Sequence, residues 1–448
     1  MKTLAEYIKT DLPLWPTWIN AFLLRCNFFK GMVYGKGYLQ MRVEIEKIDP
    51  DKRLLEIVNF AIEHVPYYRK RYGNLRIKSK KEFEEKIGFI DKEEVMQNWD
   101  DFLVDNIDWT KCFVGTTGGT SGKPLKLVIP KSRYIYNMAF WHKELHWYGW
   151  NYDTKGVIRN HHLPANRDYI INPIKKEIIF DAFRIDDSYA KKILKILKKK
   201  KVEYIHAYPS AIYQFLKLCY NQNLDTSFIK ACFLSSEGVT KNQRHFIQDE
   251  LGIKIYSFYG HSEMLIKAGS CPQCESYHIQ DSYGYCEIID EQGKVISDPN
   301  KLGELVGTTF YNEYFPLIRY KTGDFSSYAQ SPCPVHKDYH RFLNEVLGRW
   351  DKSNILREDG TYTSVTALNL HNDVYEHIDG IQYIQDEVGK IKILIIKNKL
   401  YTHDDEKYII NSAERAMKKE GSATIEYVDK LILQNNGKFL PLINNLKK

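Results

Sequence analysis

The chain has no uninterrupted apolar run approaching the roughly 18 residues of a membrane-spanning helix, so no transmembrane segment is expected. No secretory leader is visible in it either. The first residues carry Glu6, Asp11, Pro13 and Pro16 where a leader would have a basic start and a clean apolar core, so a cytoplasmic location is the default expectation. Low-complexity tracts and internal repeats are missing, which excludes a disordered or solenoid chain. Charge of one sign is in short supply too: 64 Lys and Arg stand against 57 Asp and Glu, a net charge of +7. Part of that excess sits in Lys198 to Lys201 and Lys447-Lys448, which read as solvated helix faces, with an anionic ligand as a second reason. No basic stripe is interleaved with aromatics on a recognisable module, so nucleic acid is not expected as a partner. Cysteine is sparse. Cys26, Cys112, Cys219, Cys232 and Cys286 are scattered and read as buried thiols, whereas Cys271, Cys274 and Cys333 are spaced differently.

What remains is an ordinary globular composition, 43% hydrophobic and 27% charged over 448 residues, enough for a large core and two unequal domains. The stretch from Leu12 to Leu39 is rich in aromatic and aliphatic residues and reads as packing surface, with contact to a membrane surface as the alternative. Residues 51–98 carry apolar positions at helical spacing. From 113 to about 260 strands alternate with helices, and IKACFLSSEG and IKIYSFYG each read as a strand ending in polar residues, with a helix (TKNQRHFIQDEL) between them. Beyond Gln280 the texture becomes short strands and turns: YGYCEIID, GKVI, GELVGTTF and PLIRYKTGDFSSY. The last hundred or so residues give a strand pair, a Lys- and Glu-rich helix and a further strand. The expected fold class is α/β. A large N-terminal domain, residues 1–350, would combine mixed sheets and flanking helices with a β-rich subdomain. A small α+β lid, residues 351–448, would follow.

Four segments carry chemistry. Thr116, Thr117, Gly118, Gly119, Thr120, Ser121, Gly122, Lys123 and Pro124 lie between two predicted strands. Glycines let the backbone approach an anion, and hydroxyls and an ammonium add donors to phosphate oxygens. A Walker A loop is excluded, because Thr117 stands where its first glycine should be and Pro124 where Ser or Thr should follow. A flexible Gly/Ser/Thr turn is the bland alternative. Next, Ser257, Phe258, Tyr259, Gly260, His261, Ser262 and Glu263 place a ring, open backbone, a hydroxyl and a carboxylate in one loop. Such a carboxylate suits Mg²⁺ beside phosphates, or else caps the next helix. In Tyr320-Lys321-Thr322-Gly323-Asp324 the Asp324 carboxylate can accept two ribose hydroxyls, with Arg349 doing similar polar work, although TGD is also a common turn. Gly437-Lys438, read alone, is a polar turn.

Cys271 and Cys274 have knuckle spacing, His278 follows, and Cys333 and His336 form a second half about sixty residues on. Five candidates thus compete for the four positions of a closed tetrahedral zinc shell, a structural site without an open coordination position. Unliganded thiols in loops are the alternative.

Taken in order, these segments resemble the adenylate-forming superfamily of acyl-CoA synthetases, peptide-synthetase adenylation domains and luciferases. The nearest branch is the phenylacetate–CoA ligases together with the CapK-like proteins of capsule biosynthesis. The resemblance runs from about Glu63 to Lys438. It implies a mobile phosphate-binding loop at Thr116 to Lys123, and Ser236, Glu237 and Gly238 beside the adenine and the carboxylate. Phe258 to His261 would line the adenine, with Tyr259 bordering it. Ser262 would touch the α-phosphate, Glu263 would hold Mg²⁺, Asp324 would bind the ribose with Arg349 beside it, and Asp351 would be the hinge. Lys438 would bridge carboxylate and α-phosphate. The implied reaction uses ATP to make an acyl-adenylate from a carboxylic acid (aryl, acyl or amino acid). The acyl group then passes to coenzyme A or to an amine or hydroxyl, in a surface-polysaccharide setting if the CapK likeness extends to function. Tyr208, Pro209, Ser210 and Trp141 are candidates for the acid pocket, and Arg159, His161 and His162 form a nearby polar patch. The competing expectation is a non-catalytic, zinc-stabilised nucleotide-binding protein of the same fold. His261 and Ser262 depart from the usual Tyr-Gly-x-Thr-Glu loop, though serine keeps the hydroxyl.

Overall fold

The computed structural model describes residues 11–25, 35–116, 125–159, 161–235 and 241–330, with 239, 333–336, 339, 341–344, 346, 354–368, 370, 374, 377–418, 420–432 and 442–446. The predicted helical region resolves into short helices that follow α1 (Thr17–Arg25) and α2 (Gly35–Glu44); the longest of them is α3 (Pro50–His64). α3 starts where the Asp49 side chain accepts from the Asp51 and Lys52 amides with Pro50 at the first helical position. The hairpin β1 (Cys112–Thr116) and β2 (Lys126–Pro130) pairs Thr116 with Lys126, so it brackets the Gly/Ser/Thr segment. α4 (Arg133–Leu145) follows it.

A six-stranded sheet then forms from β3 (Lys155–Arg159), β4 (Ile170–Asn172), β5 (Glu177–Asp181), β6 (Tyr204–Ala207), β7 (Ala231–Leu234) and β8 (Lys254–Tyr256), in the order β4-β5-β3-β6-β7-β8. All its pairs are parallel except β4 with β5. Its strands are nearly continuous apolar runs because helices cover them. α5 (Asp187–Lys200) buries Tyr189, Ala190, Ile193, Leu194 and Leu197, one face of a 3.6-residue period, and ends at Lys201 with φ of 55°. α6 (Pro209–Asn221) adds Ile212, Phe215, Leu216 and Cys219 to the same core.

At Ser257 the chain changes sheets. IKIYSFYG is therefore not one strand: β8 closes the parallel sheet, and β9 (Phe258–Gly260) opens an antiparallel one with β10 (Lys267–Cys271), β11 (Cys274–Ile279) and a two-residue strand at Phe342–Leu343. The predicted helix before it begins as an α-turn at Lys241–Arg244 and continues as a π-helix over His245–Glu250. β12 (Gly284–Ile289), β13 (Gly303–Thr309) and β14 (Tyr320–Ser326) form a third, antiparallel sheet. GKVI contributes only an isolated bridge, Ile289 to Val295. The TGD sequence is not a turn but lies within β14, opposite a register shift between Glu304 and Val306, with Gly323 at φ of 73°. Toward the C-terminus, strands at Ile378–Glu387, Lys390–Lys397, Ser422–Tyr427 and Leu442–Asn444 make a mixed four-stranded sheet with the helix His403–Ala416, around a core of its own. The mixed α/β fold class is as expected. Among the described residues, no helix is long and apolar enough to cross a membrane.

Candidate active site

The chain's switch of sheets at Ser257 is fixed by hydrogen bonds. The Ser257 amide donates to Ser270 Oγ at 2.8 Å, and Ser257 Oγ lies 2.9 Å from the Tyr277 hydroxyl. Directly after it, Phe258, Tyr259 and Gly260 run along β10, and His261 to Met264 form a turn closed by the Met264 amide on the His261 carbonyl. Ser262 and Glu263 occupy this turn, half-buried. His261 lies against Tyr259, ring centroids 4.9 Å apart.

Tyr259 joins two motifs that are 65 residues apart. Its hydroxyl donates to Asp324 Oδ2 at 2.9 Å. Burial and the Asp324 charge hold the Tyr259 hydroxyl well above its ordinary pKa, so it stays a donor. Asp324 is buried, and its amide donates to Thr322 Oγ1 at 3.1 Å. β14 is anchored by Arg319, which donates to both Glu287 carboxylate oxygens at 3.1 and 2.7 Å and to the Ile87 carbonyl at 2.6 Å. The guanidinium also lies 4.0 Å from the Phe89 ring centroid. Neither Arg319 nor Glu287 figured in the sequence reading. The signal was a lone acidic residue inside the apolar strand YGYCEII.

On one face of the parallel sheet, period-2 alternation lines up Val157 and Arg159 of β3 with His206 of β6 and, just past β7, Ser235. Arg159 Nη1 and Ser235 Oγ approach His206 Nε2 at 3.2 and 3.1 Å. The Trp141 ring lies 5.0 Å from His206, and the Arg159 guanidinium 5.0 Å from the Tyr208 ring. Burial first, then the charge of Arg159, holds His206 well below its ordinary pKa and hence neutral. Trp141 is buried with Leu145, Tyr148 and Trp150, and Pro209 and Ser210 open α6.

The five cysteine and histidine candidates converge. Ligand atoms of Cys271, Cys274, His278 and Cys333 all lie within 4.8 Å of one another. Cys271 Sγ is 3.8 Å from Cys333 Sγ and 3.3 Å from His336 Nδ1, and Cys274 Sγ is 3.3 Å from His278 Nε2. Zn–S bonds of about 2.3 Å in a tetrahedron put two sulfurs about 3.8 Å apart, so the donor set fits zinc in spacing and chemistry. Burial pushes the Cys271 thiol up to about 12. Burial also opposes ionisation of Cys333, but the backbone amides of His336 and Val335 together with hydrogen bonds from Cys271 and Cys274 leave that thiol below its usual value. Trp147 covers the cluster, its ring 4.4 Å from His336 and 5.0 Å from His278.

A buried polar network, also unforeseen, lies beneath this sheet. Glu144 accepts from Gln280 Nε2 at 2.8 Å and from the Tyr256 hydroxyl, and stands 3.6 Å from Lys267 Nζ. Tyr339, three residues past His336, donates to Gln280 Oε1 at 3.0 Å, and Lys267 Nζ lies 4.1 Å from the Phe258 ring centroid. A Cβ on Gly269 would stand 2.4 Å from Glu144 Oε1, so the glycine makes room for the carboxylate. Of the remaining predicted residues, Thr116 ends β1, while Thr117 to Lys123, Ser236, Glu237, Gly238, Arg349, Asp351 and Lys438 lie outside the described residues.

The fold and parts of the sequence have counterparts among known proteins. The fold is that of the adenylate-forming acyl-CoA ligases. Two crystal structures of 2-hydroxyisobutyryl-CoA ligase each align over 88% of both chains. One is in the postadenylation state, with a TM-score of 0.54 and 15% identity, and the other is in complex with 2-HIB-AMP and CoA, with a TM-score of 0.55 and 16% identity. In sequence, the chain is similar to protein CapK of Staphylococcus aureus, 27% identical over 284 residues, covering 60% of this chain and 59% of CapK. Phenylacetate-coenzyme A ligase of Thermus thermophilus is 32% identical over 142 residues, 31% of this chain and 32% of that one. The chain thus aligns with less than two thirds of either relative. Residues 355–445 match the CapK C-terminal domain family.

Proposed function

We propose that the chain is an AMP-forming ligase: a carboxylate attacks the α-phosphorus of ATP, the bond to pyrophosphate breaks, and the resulting acyl-adenylate passes its acyl group to coenzyme A or to an amine or hydroxyl. The observation that carries this reading is the Tyr259–Asp324 hydrogen bond at 2.9 Å, which joins the proposed adenine loop to the proposed ribose carboxylate. The likeness to phenylacetate-coenzyme A ligases and the acyl-CoA ligase fold supports it. Asp324 would hold the ribose hydroxyls, with Arg349 beside it. Ser262 would reach the α-phosphate, the Thr116 to Lys123 loop the outer phosphates, and Lys438 the oxygens of both reactants. Glu263 would hold Mg²⁺, which when bound offsets phosphate charge. The acid is already ionised at neutral pH, so no general base is required and catalysis is positioning plus charge cancellation. The acid would extend from the nucleotide toward Trp141, Tyr208 and the Arg159–His206 pair. Residues 351–448 would form the lid that exchanges Lys438 for the acceptor. The similarity to CapK supports a role in surface-polysaccharide synthesis. Structural zinc would be held by Cys271, Cys274, Cys333 and one of His278 and His336.

Pyrophosphate release with ATP and Mg²⁺ across a panel of carboxylic acids tests this. Release dependent on one class of acid should fall about 100-fold or more in Asp324→Ala and in Glu263→Ala. No release with any acid, with ATP still bound, would leave only the non-catalytic nucleotide-binding alternative, and no ATP binding would overturn both.

A further inference from the structure

α1 faces the wrong way for a packing helix. Inward it offers Asn20, whose amide donates to the Leu12 carbonyl at 2.8 Å, with Ala21 and Leu24 against the parallel-sheet core. Outward it presents Trp18, 75% exposed, and Phe22, 67% exposed, continuous with Trp15, 40% exposed, just before the helix. Positions 18, 22 and 25 fall on one stripe of the helix, so an indole, a phenyl and the Arg25 guanidinium share an outer face, with the exposed Trp15 just ahead of it in extended backbone. Leu14 is exposed beside them. Singly exposed apolar residues are commonplace, but three aromatic rings exposed within eight residues are a patch.

The surroundings of this stripe are basic. Arg167 donates to the Trp15 carbonyl at 3.4 Å. Arg25 and Leu24 share a recess with Lys176 and Lys201. Lys200, the last residue of α5, directly precedes Lys201 of that recess. Two carboxylates enter the recess. Glu203 is paired with Lys230 at 2.7 Å, and Asp153 accepts the Asn151 amide at 2.9 Å. Aromatic rings at the surface within a rim of guanidinium and ammonium groups match one environment in particular. The rings settle at the boundary of headgroup and acyl chain while the cations meet lipid phosphates. A protein partner for this face would need acidic complementarity around an aromatic-binding groove, whereas a sheet of anionic headgroups supplies the charge at every rim position.

We propose that the Trp15–Trp18–Phe22 stripe and its rim of Arg25, Arg167 and Lys200 dock the protein reversibly on an anionic lipid surface. Nine helical residues are too few to span a bilayer, so the attachment is peripheral. This does not depend on the ligase reading.

The test uses the full chain and two vesicle preparations, phosphatidylcholine alone and an equimolar mixture with phosphatidylglycerol. Cosedimentation should favour the anionic vesicles by roughly tenfold or more and should weaken as salt rises. Trp18→Ser with Phe22→Ser should lower binding by about tenfold or more while the thermal midpoint stays near wild type, since both side chains are exposed. Arg25→Glu with Lys200→Glu should lower it by a similar factor. Brominated acyl chains should quench tryptophan emission in the wild type and less so in Trp18→Ser. Equal binding to both vesicles, wild-type binding by the aromatic variant, or no vesicle binding would each overturn the proposal. If the wild type instead self-associates and the aromatic variant does not, the stripe is a contact between copies of the chain, and the lipid proposal is likewise overturned.

Discussion

Two sheets meet at Ser257, and they are held together by different physics. The parallel sheet has a largely apolar core: Ile158, Phe180, Ile205, Phe215 and Leu234 are buried between strands and helices, and its buried charges, Lys155 and Asp181, sit at strand ends. The antiparallel sheet of β9, β10 and β11 has strands of three to six residues and a different interior. Its buried groups include Lys267, His278 and Gln280, with Glu144 beneath and five cysteine and histidine donors at one end. Strand length does not separate the two sheets, since the strands of the parallel one have three to five residues; the buried polar groups do. Directional bonds take over, and the proposed adenine loop is mounted on the directional side of the boundary. Geometry at the proposed nucleotide site therefore depends on a few named contacts, while the parallel sheet next to it depends on many anonymous ones.

The contrast can be broken. Its largest expected consequence follows from the proposed zinc site: selective loss of the antiparallel sheet when a chelator is added or Cys333→Ser is introduced. The local effect should be several kcal/mol, because ligation free energy is folding free energy where no preformed site exists without metal. Amide hydrogen exchange over residues 258–279 should rise while residues 204–234 stay protected. Equal loss in both sheets would erase the distinction. A smaller effect is expected from Glu144→Ala, about 3–5 kcal/mol, since it leaves the Lys267 ammonium buried without its carboxylate. Glu144→Leu with Lys267→Met should recover most of this, and denaturant midpoints of the single and double variants provide the comparison. The smallest effect belongs to the other side of the boundary. Asp186 accepts from the Tyr189 amide at the start of α5, and Asp186→Ala should cost about 1 kcal/mol, unchanged by the chelator.

The same boundary divides what could be read from the sequence. The parallel sheet was legible because its signals are local: the 3.6-residue period of α5 and apolar runs ending in polar residues. IKIYSFYG misled because both its halves are extended, and only the tertiary bonds of Ser257 separate them. The hydrogen bond that brings Asp324 of YKTGD against Tyr259 could not be read from either motif alone, and the cysteine spacing foretold a cluster without telling that all five donors would meet. Arg319, Glu287, Glu144 and Lys267 went unseen, since each pairs with a residue distant in sequence and looks alone like a surface charge. The outward turn of Trp18 and Phe22 was equally hidden. Aromatic content announces contact, but not with what.

Trp147 lies flat enough on the cysteine–histidine cluster, 32° from the plane of His336, to sense the electronic state of that ring. A protonated imidazole quenches a neighbouring indole, and a metal-bound imidazole cannot take the proton. If the proposed zinc is bound through His336, Trp147, whose ring lies 4.4 Å from it, would serve as an optical gauge of that ligation, read in emitted light.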